Sequence, residues 1–260
     1  MFIDTHCHLD DTKFDGEVGE ILSRCRDLRV EKVLIPGANL ADLPKALSLA
    51  EQFSEIYFAV GIHPCEVTER EIKGLDSAKL QIINTNAKHK KCLAVGEVGL
   101  DYYYKNDELT KQAQECAFRA QINLAIETKK PLIIHTRDSN DDIVNILKDY
   151  EAQLKCVIFH CFGGDMKLVN ALKCECYYGI GGVISFKNAK ALQESVAKLP
   201  RESLLLETDA PYLAPTPNRG KRNSPEFIPL IASHLAQNLG VSVEEIAEVT
   251  TKNAIRAFGF

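Results

Sequence analysis

Short apolar runs alternate with amphipathic segments along the whole chain, and no low-complexity tract or Gly/Ser-rich linker interrupts them. Eight of these runs have the composition of strands that are buried on both faces, as in parallel sheets. We predict strands at residues 2–6, 32–36, 56–60, 93–97, 132–135, 157–160, 177–180 and 204–207. Helices are predicted at residues 17–28, 41–52, 67–88, 108–128, 165–173 and 188–198. A further helix is predicted to begin after a cap at Asp138 or Ser139, and two more are predicted after residue 223.

This alternation is typical of the α/β class, and in particular of a (β/α)8 TIM barrel, in which each strand is followed by a helix. The length of 260 residues also suits one such barrel, since these domains typically have about 250 residues. We therefore expect a single TIM-barrel domain over residues 1–260. A doubly wound open sheet is the alternative arrangement. Neither G-x-G-x-x-G nor G-x-x-x-x-G-K-[ST] occurs, so the sequence gives no indication of a nucleotide cofactor.

Composition narrows the possible classes of function. The net charge of −5 argues against broad electrostatic coating of nucleic acid, although it is compatible with a local cationic strip. The apolar runs are too short to span a bilayer, and the amino terminus lacks the basic and apolar regions of a signal peptide. We therefore expect a cytoplasmic protein without membrane contact, whose nine cysteines are reduced thiols.

Side chains that commonly bind metals stand at the ends of the predicted strands. They are His6, His8, His63, Glu97, His135, His160 and Asp209. In a TIM barrel the carboxyl ends of all strands lie on one rim. Each residue alone has a structural alternative; Asp209, for example, could cap a turn. If all of them had only structural roles, several polar groups whose burial is costly would lie on one rim without a function. We therefore predict a metal site there.

His6 and His8 begin this set. If residues 2–6 form a strand, its alternation places His6 and His8 on one side and Cys7 on the other. Two imidazoles cannot complete a site, since a metal ion needs three or more protein ligands. The remaining ligands must therefore come from other strands. Cys7 and Cys161, which adjoin candidate ligands, are expected to be core thiols.

Seven motifs occur in order along the chain. They are I-D-T-H-C-H-L-D from residue 3, V-G-I-H-P from 60, A-V-G-E-V-G-L-D-Y from 94, L-I-I-H-T-R-D from 132, F-H-C-F-G-G from 159, L-E-T-D-A-P-Y-L from 206 and R-G-K-R-N from 219. As a set, they resemble the TatD family of metal-dependent DNases, within the amidohydrolase-like TIM barrels. Gly163-Gly164 stands where Ser/Thr-Gly is more usual, a departure that involves no candidate ligand.

The resemblance implies two divalent metal ions. The first ion would be held by His6, His8, Glu97 and Asp209, and the second by Glu97, His135 and His160. The chemistry of Glu97 agrees, because a carboxylate can bridge two cations through its two oxygens and an imidazole cannot. Mixed imidazole and carboxylate ligands suit Zn or Mn better than Mg, whereas the family is generally described as magnesium-dependent. Mg, Mn and Zn therefore all stay open.

The resemblance also implies hydrolysis of a phosphodiester by a metal-activated water. Asp209 is expected to act as the general base toward that water, and Glu97 as the catalytic bridge between the ions. His63 is not needed to complete either ion, and is expected to contact phosphate or to protonate the leaving oxygen. Glu207 would lie on the same strand face as Asp209 and support the ligands.

Candidate substrate contacts adjoin these residues in sequence. Arg137 could bind phosphate through two hydrogen bonds, or form a salt bridge with Asp138 or Glu97. Tyr102 could stack on a base, or simply pack in its loop. A cationic loop next to Asp209 is either a phosphate contact or a solvated surface. The cationic members of this loop are Arg219, Lys221 and Arg222.

The leading hypothesis is a metal-dependent exonuclease acting on single-stranded DNA, or on RNA. The first alternative is an ester or amide hydrolase, such as a D-aminoacyl-tRNA deacylase, which would use identical ligands. The second is a non-catalytic nucleic-acid-binding protein, but a degenerate site would normally have lost one of the ligands. We expect a monomer or a weak homo-oligomer whose partner is its single-stranded substrate.

Overall fold

The computed structural model describes residues 1–169 and 171–260, and eight parallel strands follow one another around it in chain order. The strands are β1 Phe2–Asp4, β2 Val30–Ile35, β3 Ile56–Val60, β4 Cys92–Asp101, β5 Leu132–Arg137, β6 Val157–Phe159, β7 Cys176–Ile180 and β8 Leu204–Leu206. The helices are α1 Val18–Asp27, α2 Leu43–Gln52, α3 Ser77–Ala87, α4 Glu108–Thr128, α5 Asn140–Lys148, α6 Met166–Val169, α7 Lys190–Val196, α8 Ile228–Leu239 and α9 Val243–Phe258. The predicted (β/α)8 TIM barrel is confirmed. Among the described helices, none is both long and apolar enough to cross a bilayer.

The last strand returns to the first, so that the barrel is nearly closed. The N–H and the hydroxyl of Thr5 both donate to the Leu206 carbonyl at 3.0 Å. Just beyond the strands, the Asp209 N–H donates to the His6 carbonyl and the His8 N–H to the Ala210 carbonyl, each at 2.8 Å. These bonds bring the segment after β1 beside the segment after β8, which sets the geometry of the rim.

Side chains from every strand fill the barrel interior. The contributing residues are Ile3, Leu34, Ala59, Ala94, Ile133, Ile158, Tyr177 and Leu205. Phe258 and Ala257 of α9 join this cluster at the amino ends of the strands, where the Lys155 ammonium donates to the Ala257 carbonyl at 3.0 Å. Because the interior is packed and α9 covers its amino end, the carboxyl-end rim is left for ligands.

Several element boundaries differ from the prediction. β1 ends at Asp4, not at residue 6, because the Asp4 carboxylate accepts the His6 N–H at 3.2 Å and turns the chain. β4 continues past residue 97 to Asp101, where it still pairs with β5. The single helix predicted over 67–88 is divided into a 3₁₀ segment, Glu69–Lys73, and α3. Gly74 separates the two with φ +110°, a conformation that ends a helix.

The helix predicted over residues 165–173 is wrong in its second half. α6 has only four residues, Met166–Val169, and residue 170 lies outside the described residues. Residues 171–173 are not helical. The Lys173 N–H donates to the Glu151 carboxylate at 2.7 Å instead of to a helical carbonyl, so a side-chain contact replaces the last turn.

Candidate metal centre

Asp4 joins the ends of β1 and β8 beneath the site. Its carboxylate is fully buried and accepts hydrogen bonds from the N–H and the hydroxyl of Thr208, at 2.9 and 2.6 Å. Burial raises the pKa of Asp4 to about 7, although these hydrogen bonds oppose the shift. Because one carboxylate fastens both strand exits, His6 and His8 are brought against Asp209. The two imidazoles meet as predicted, but through this turn and not through strand alternation.

Glu97 of β4 lies at the centre of the polar cluster and is only 4% exposed. Its Oε2 lies 3.3 Å from His6 Nε2 and 4.0 Å from His8 Nε2. Asp209 faces the same imidazoles, with its Oδ1 3.8 Å from His6 Nε2 and 3.5 Å from His8 Nε2. The structure therefore brings together the four side chains that the resemblance assigns to the first ion.

The other oxygen of Glu97, Oε1, faces three more histidines. It lies 2.7 Å from His135 Nδ1, 3.1 Å from His160 Nε2 and 3.4 Å from His63 Nε2. His63, which the sequence placed outside both ions, thus belongs to the group around this oxygen. The two oxygens of one carboxylate serve separate groups of imidazoles, which is the arrangement that a bridging ligand requires.

Opposite charges control the protonation of this cluster. Burial would raise the pKa of Glu97, but the histidines around it, His160 foremost, hold it well below its ordinary value. Burial would lower the pKa of His160, yet Glu97 and Glu207 hold it well above its ordinary value. In His6 burial prevails and, together with the charge of His160, lowers the pKa. An ionised carboxylate at the centre is thus balanced by positive charge around it, a role that divalent cations also fill.

His6 tests whether the cluster fits metal ions. Both of its ring nitrogens are buried, and neither has a hydrogen-bond partner among the described residues. A buried polar atom without a partner is costly, and a cation at Nε2 would supply one. Three sets of candidate ligand atoms each lie within 4.8 Å of one another. The sets are His6–His8–Glu97, His6–His160–Asp209 and His63–Glu97–His135. The donors present therefore fit divalent cations.

Two further carboxylates contact these imidazoles from outside. Asp101 Oδ2 lies 3.0 Å from His135 Nε2, and Glu207 Oε1 lies 3.4 Å from His160 Nδ1. Outer carboxylates of this kind fix the orientation of a ligand ring and raise its basicity. The sequence pointed to Glu207 but not to Asp101. A signal was present, since residues 97, 99 and 101 share one face of a strand that continues this far.

A family model described as TatD related DNase matches residues 3–259 of this chain. The chain belongs to the TatD family. Its relatives include YabD of Bacillus subtilis, an uncharacterized metal-dependent hydrolase that is 38% identical over 259 residues, with 99% of each chain covered. The uncharacterized metal-dependent hydrolase TatD of Mycobacterium tuberculosis is 34% identical over 99% of this chain and 97% of that protein.

Solved structures agree with the TatD assignment. The crystal structure of YjjV, a TatD homolog from Escherichia coli, superposes with a TM-score of 0.88 at 29% identity, covering 100% of this chain and 98% of that one. The same fold is present in a TatD-family hydrolase from Entamoeba histolytica. That structure superposes with a TM-score of 0.82 at 21% identity, covering 99% of this chain and 97% of that one. The chain is thus a TatD-family metal-dependent hydrolase.

The structure separates the predicted substrate contacts of this TatD-family protein. Arg137 ends β5 next to the metal centre, and its guanidinium stacks on the exposed ring of Tyr103, 3.6 Å from the ring centroid. Tyr102 is half-buried, its hydroxyl donates to Asp142 at 2.9 Å, and Lys111 lies over its ring at 4.7 Å. The next two rings, Tyr103 and Tyr104, are more exposed, at 57% and 71%.

The cationic residues of the loop that follows Asp209 also differ from one another in their contacts. Arg222 donates two hydrogen bonds to the Glu17 carboxylate, at 2.9 and 2.6 Å, and lies over the Phe14 ring. Its guanidinium braces the loop against the connection after β1 while Arg222 stays exposed, so its role as a phosphate contact stays a prediction. Arg219 lies over the Phe186 ring at 4.4 Å, and Lys221 is exposed.

The two cysteines beside candidate ligands differ from each other. Cys7 is fully buried in the core, as expected. Cys161 is only partly buried, has φ +46°, and donates its N–H to the Glu207 carboxylate at 2.5 Å. The prediction of a core thiol is therefore wrong for Cys161, because the chain leaves β6 at Phe159 and turns into the rim.

Proposed function

We propose that this TatD-family hydrolase is a two-metal phosphodiesterase that shortens single-stranded DNA from one end. The observation that carries the proposal is the position of Glu97, whose two oxygens face separate groups of imidazoles. Two cations held side by side suit displacement at phosphorus, because they can stabilise both the attacking and the leaving oxygen. Single-stranded RNA contains the same type of bond and is the second substrate to test.

When bound, the two cations would provide a water of lowered pKa and positive charge beside the phosphoryl oxygens. Asp209 would accept the proton of that water, a role supported by the position of its carboxylate beside His6 and His8, at 3.8 and 3.5 Å. Burial would raise the pKa of Asp209, but the hydrogen bond to His8 and the charge of His160 hold it below its ordinary value. The carboxylate is therefore ionised at neutral pH and able to act as general base.

His63 is the residue to which we assign protonation of the leaving oxygen. Its Nδ1 accepts the Cys65 N–H at 3.1 Å, so the ring proton resides on Nε2, which points toward Glu97 Oε1 at 3.4 Å. Burial would lower the pKa of His63, but the charge of Glu97 raises it above the ordinary value. This shift favours the doubly protonated ring that a general acid needs, and in that form Nδ1 no longer accepts the Cys65 N–H.

Digestion of a labelled single strand tests the proposal. Metal-free protein would be supplied with Mn²⁺, Mg²⁺ or Zn²⁺, or kept in EDTA, and incubated with DNA labelled at its 5′ or its 3′ end. We expect stepwise shortening that requires metal and is abolished in Glu97→Gln, which keeps the shape of the side chain and removes its charge. Glu69→Gln, a matched change at an exposed glutamate on a 3₁₀ segment, should retain wild-type activity.

Failure of the wild-type protein to cleave DNA or RNA, while elemental analysis shows bound metal, would overturn the nuclease proposal. D-aminoacyl-tRNA would then be the next substrate, since the same ligands serve ester hydrolysis. Binding of single-stranded DNA without hydrolysis of any of these substrates would indicate a non-catalytic protein. The two labels also report the direction of digestion.

A further inference from the structure

Two exposed tyrosines stand beside the metal centre, and a cation lies over each ring. Tyr103 is 57% exposed, with the Arg137 guanidinium 3.6 Å from its centroid. Tyr212 is 49% exposed, with Lys13 Nζ 4.8 Å from its centroid. Burial of the apolar surface of a tyrosine ring is favourable, so an exposed ring forgoes that stabilisation. Each of these sites instead presents aromatic surface together with a cation, and at Tyr212 the Asp11 carboxylate also lies close, 3.9 Å from Lys13 Nζ and 3.4 Å from the Tyr212 hydroxyl oxygen.

The first ring is fixed to the half of the centre that contains His135. The Tyr103 N–H donates to Asp101 Oδ1 at 2.9 Å, and Asp101 Oδ2 lies 3.0 Å from His135 Nε2. His135 in turn faces Oε1 of Glu97 at 2.7 Å. A short chain of hydrogen-bonding groups therefore holds the Tyr103 backbone at a set position relative to one oxygen of Glu97.

The second ring adjoins the other half of the centre. Tyr212 lies edge-on to His8, with ring centroids 6.2 Å apart, and His8 faces Oε2 of Glu97. The Tyr212 N–H donates to the Asp209 carbonyl at 2.9 Å, which fixes this loop after β8. Tyr103 follows β4, and β4 and β8 are half the strand order apart. The two rings thus adjoin imidazoles that face different oxygens of Glu97.

A phosphodiester held at this centre carries one nucleoside on each side. Bases stack on aromatic side chains whatever their identity, and cations attract the neighbouring phosphates. We propose that Tyr103 with Arg137, and Tyr212 with Lys13, receive the unpaired bases on the two sides of the scissile phosphate. This inference rests on the proposed nuclease function. It makes the substrate a single strand or a frayed end, since bases in a duplex are already stacked and paired.

The test compares a single strand of thymidine nucleotides with an abasic strand of the same length, built from tetrahydrofuran nucleotides. KM and kcat would be measured for both with wild type, Tyr103→Ala, Tyr212→Ala and the two Tyr→Phe variants, with anisotropy of labelled strands as a separate measure of binding. Ile255→Ala, which removes an exposed side chain from α9 at the other end of the barrel, is the control.

Each Tyr→Ala variant should raise KM for the thymidine strand about tenfold with kcat changed by less than about twofold, the scale expected for one lost stacking contact. The effect on the abasic strand should be much smaller, and Tyr→Phe should behave as wild type because the ring is retained. An equal loss on both strands, or no loss on either, would overturn the stacking sites while leaving the nuclease in place. If the wild type neither cleaves nor binds the thymidine strand or the abasic strand, both the proposed function and this inference are overturned.

Discussion

Replacing Asp101 by asparagine should weaken binding of the ion beside His135 by about 10- to 100-fold, as is typical when a carboxylate that orients a metal-binding histidine is lost. That loss corresponds to about 1.4 to 2.7 kcal/mol of binding free energy. The structure supports this magnitude because Asp101 is only 3% exposed, and its Oδ2 lies 3.0 Å from His135 Nε2. Asparagine keeps the shape and can still accept the Tyr103 N–H, but it offers the imidazole no negative charge.

Calorimetric titration of metal-free protein with Mn²⁺ measures the effect. In Asp101→Asn one of two affinities should fall, and the other should stay within about twofold. Asp142→Asn, the same change at an exposed carboxylate that bonds Tyr102, should leave both affinities as in wild type. Identical Mn²⁺ titrations for Asp101→Asn and wild type would refute the reasoning that this carboxylate orients a ligand.

Two further predictions concern stability. Burial would raise the pKa of Glu71, but hydrogen bonds from Lys79 and Thr68 hold it at about 2, so the ionised form stabilises the fold above about pH 4.5. Glu71→Gln should therefore lower the free energy of unfolding by about 2 kcal/mol at pH 7. In urea unfolding, the difference between this variant and the wild type should vanish as the pH falls toward about 2. A difference that does not change with pH would contradict this prediction, and Glu69→Gln is the matched control. Phe258→Ala should lower the free energy of unfolding by about 3 to 5 kcal/mol, because it opens a cavity where α9 closes the barrel. A decrease of less than about 1 kcal/mol in urea unfolding would contradict that packing role.

The fold class and most of the candidate ligands are predictable because both are properties of short segments. An apolar run followed by an amphipathic helix indicates a buried parallel strand whichever strand lies beside it. A histidine at the end of such a run, such as His135 or His160, must reach the carboxyl-end rim of a barrel. The positions of these residues therefore follow from the sequence before any tertiary contact is known.

The tertiary structure alone decided how the strand exits meet and which loop residues face the metal centre. The segment after β1 lies beside the segment after β8 because the Asp4 carboxylate binds Thr208, which is 204 residues away in sequence. Arg222 is engaged by Glu17 across 205 residues, and Tyr102, unlike Tyr103, is held by a partner on α5. Hydrophobic periodicity reports which side chains are buried in each element. It contains no information about charged and hydrogen-bonded partners that come within reach only when the barrel has closed, and those partners determine which of the polar residues remain free to bind a ligand.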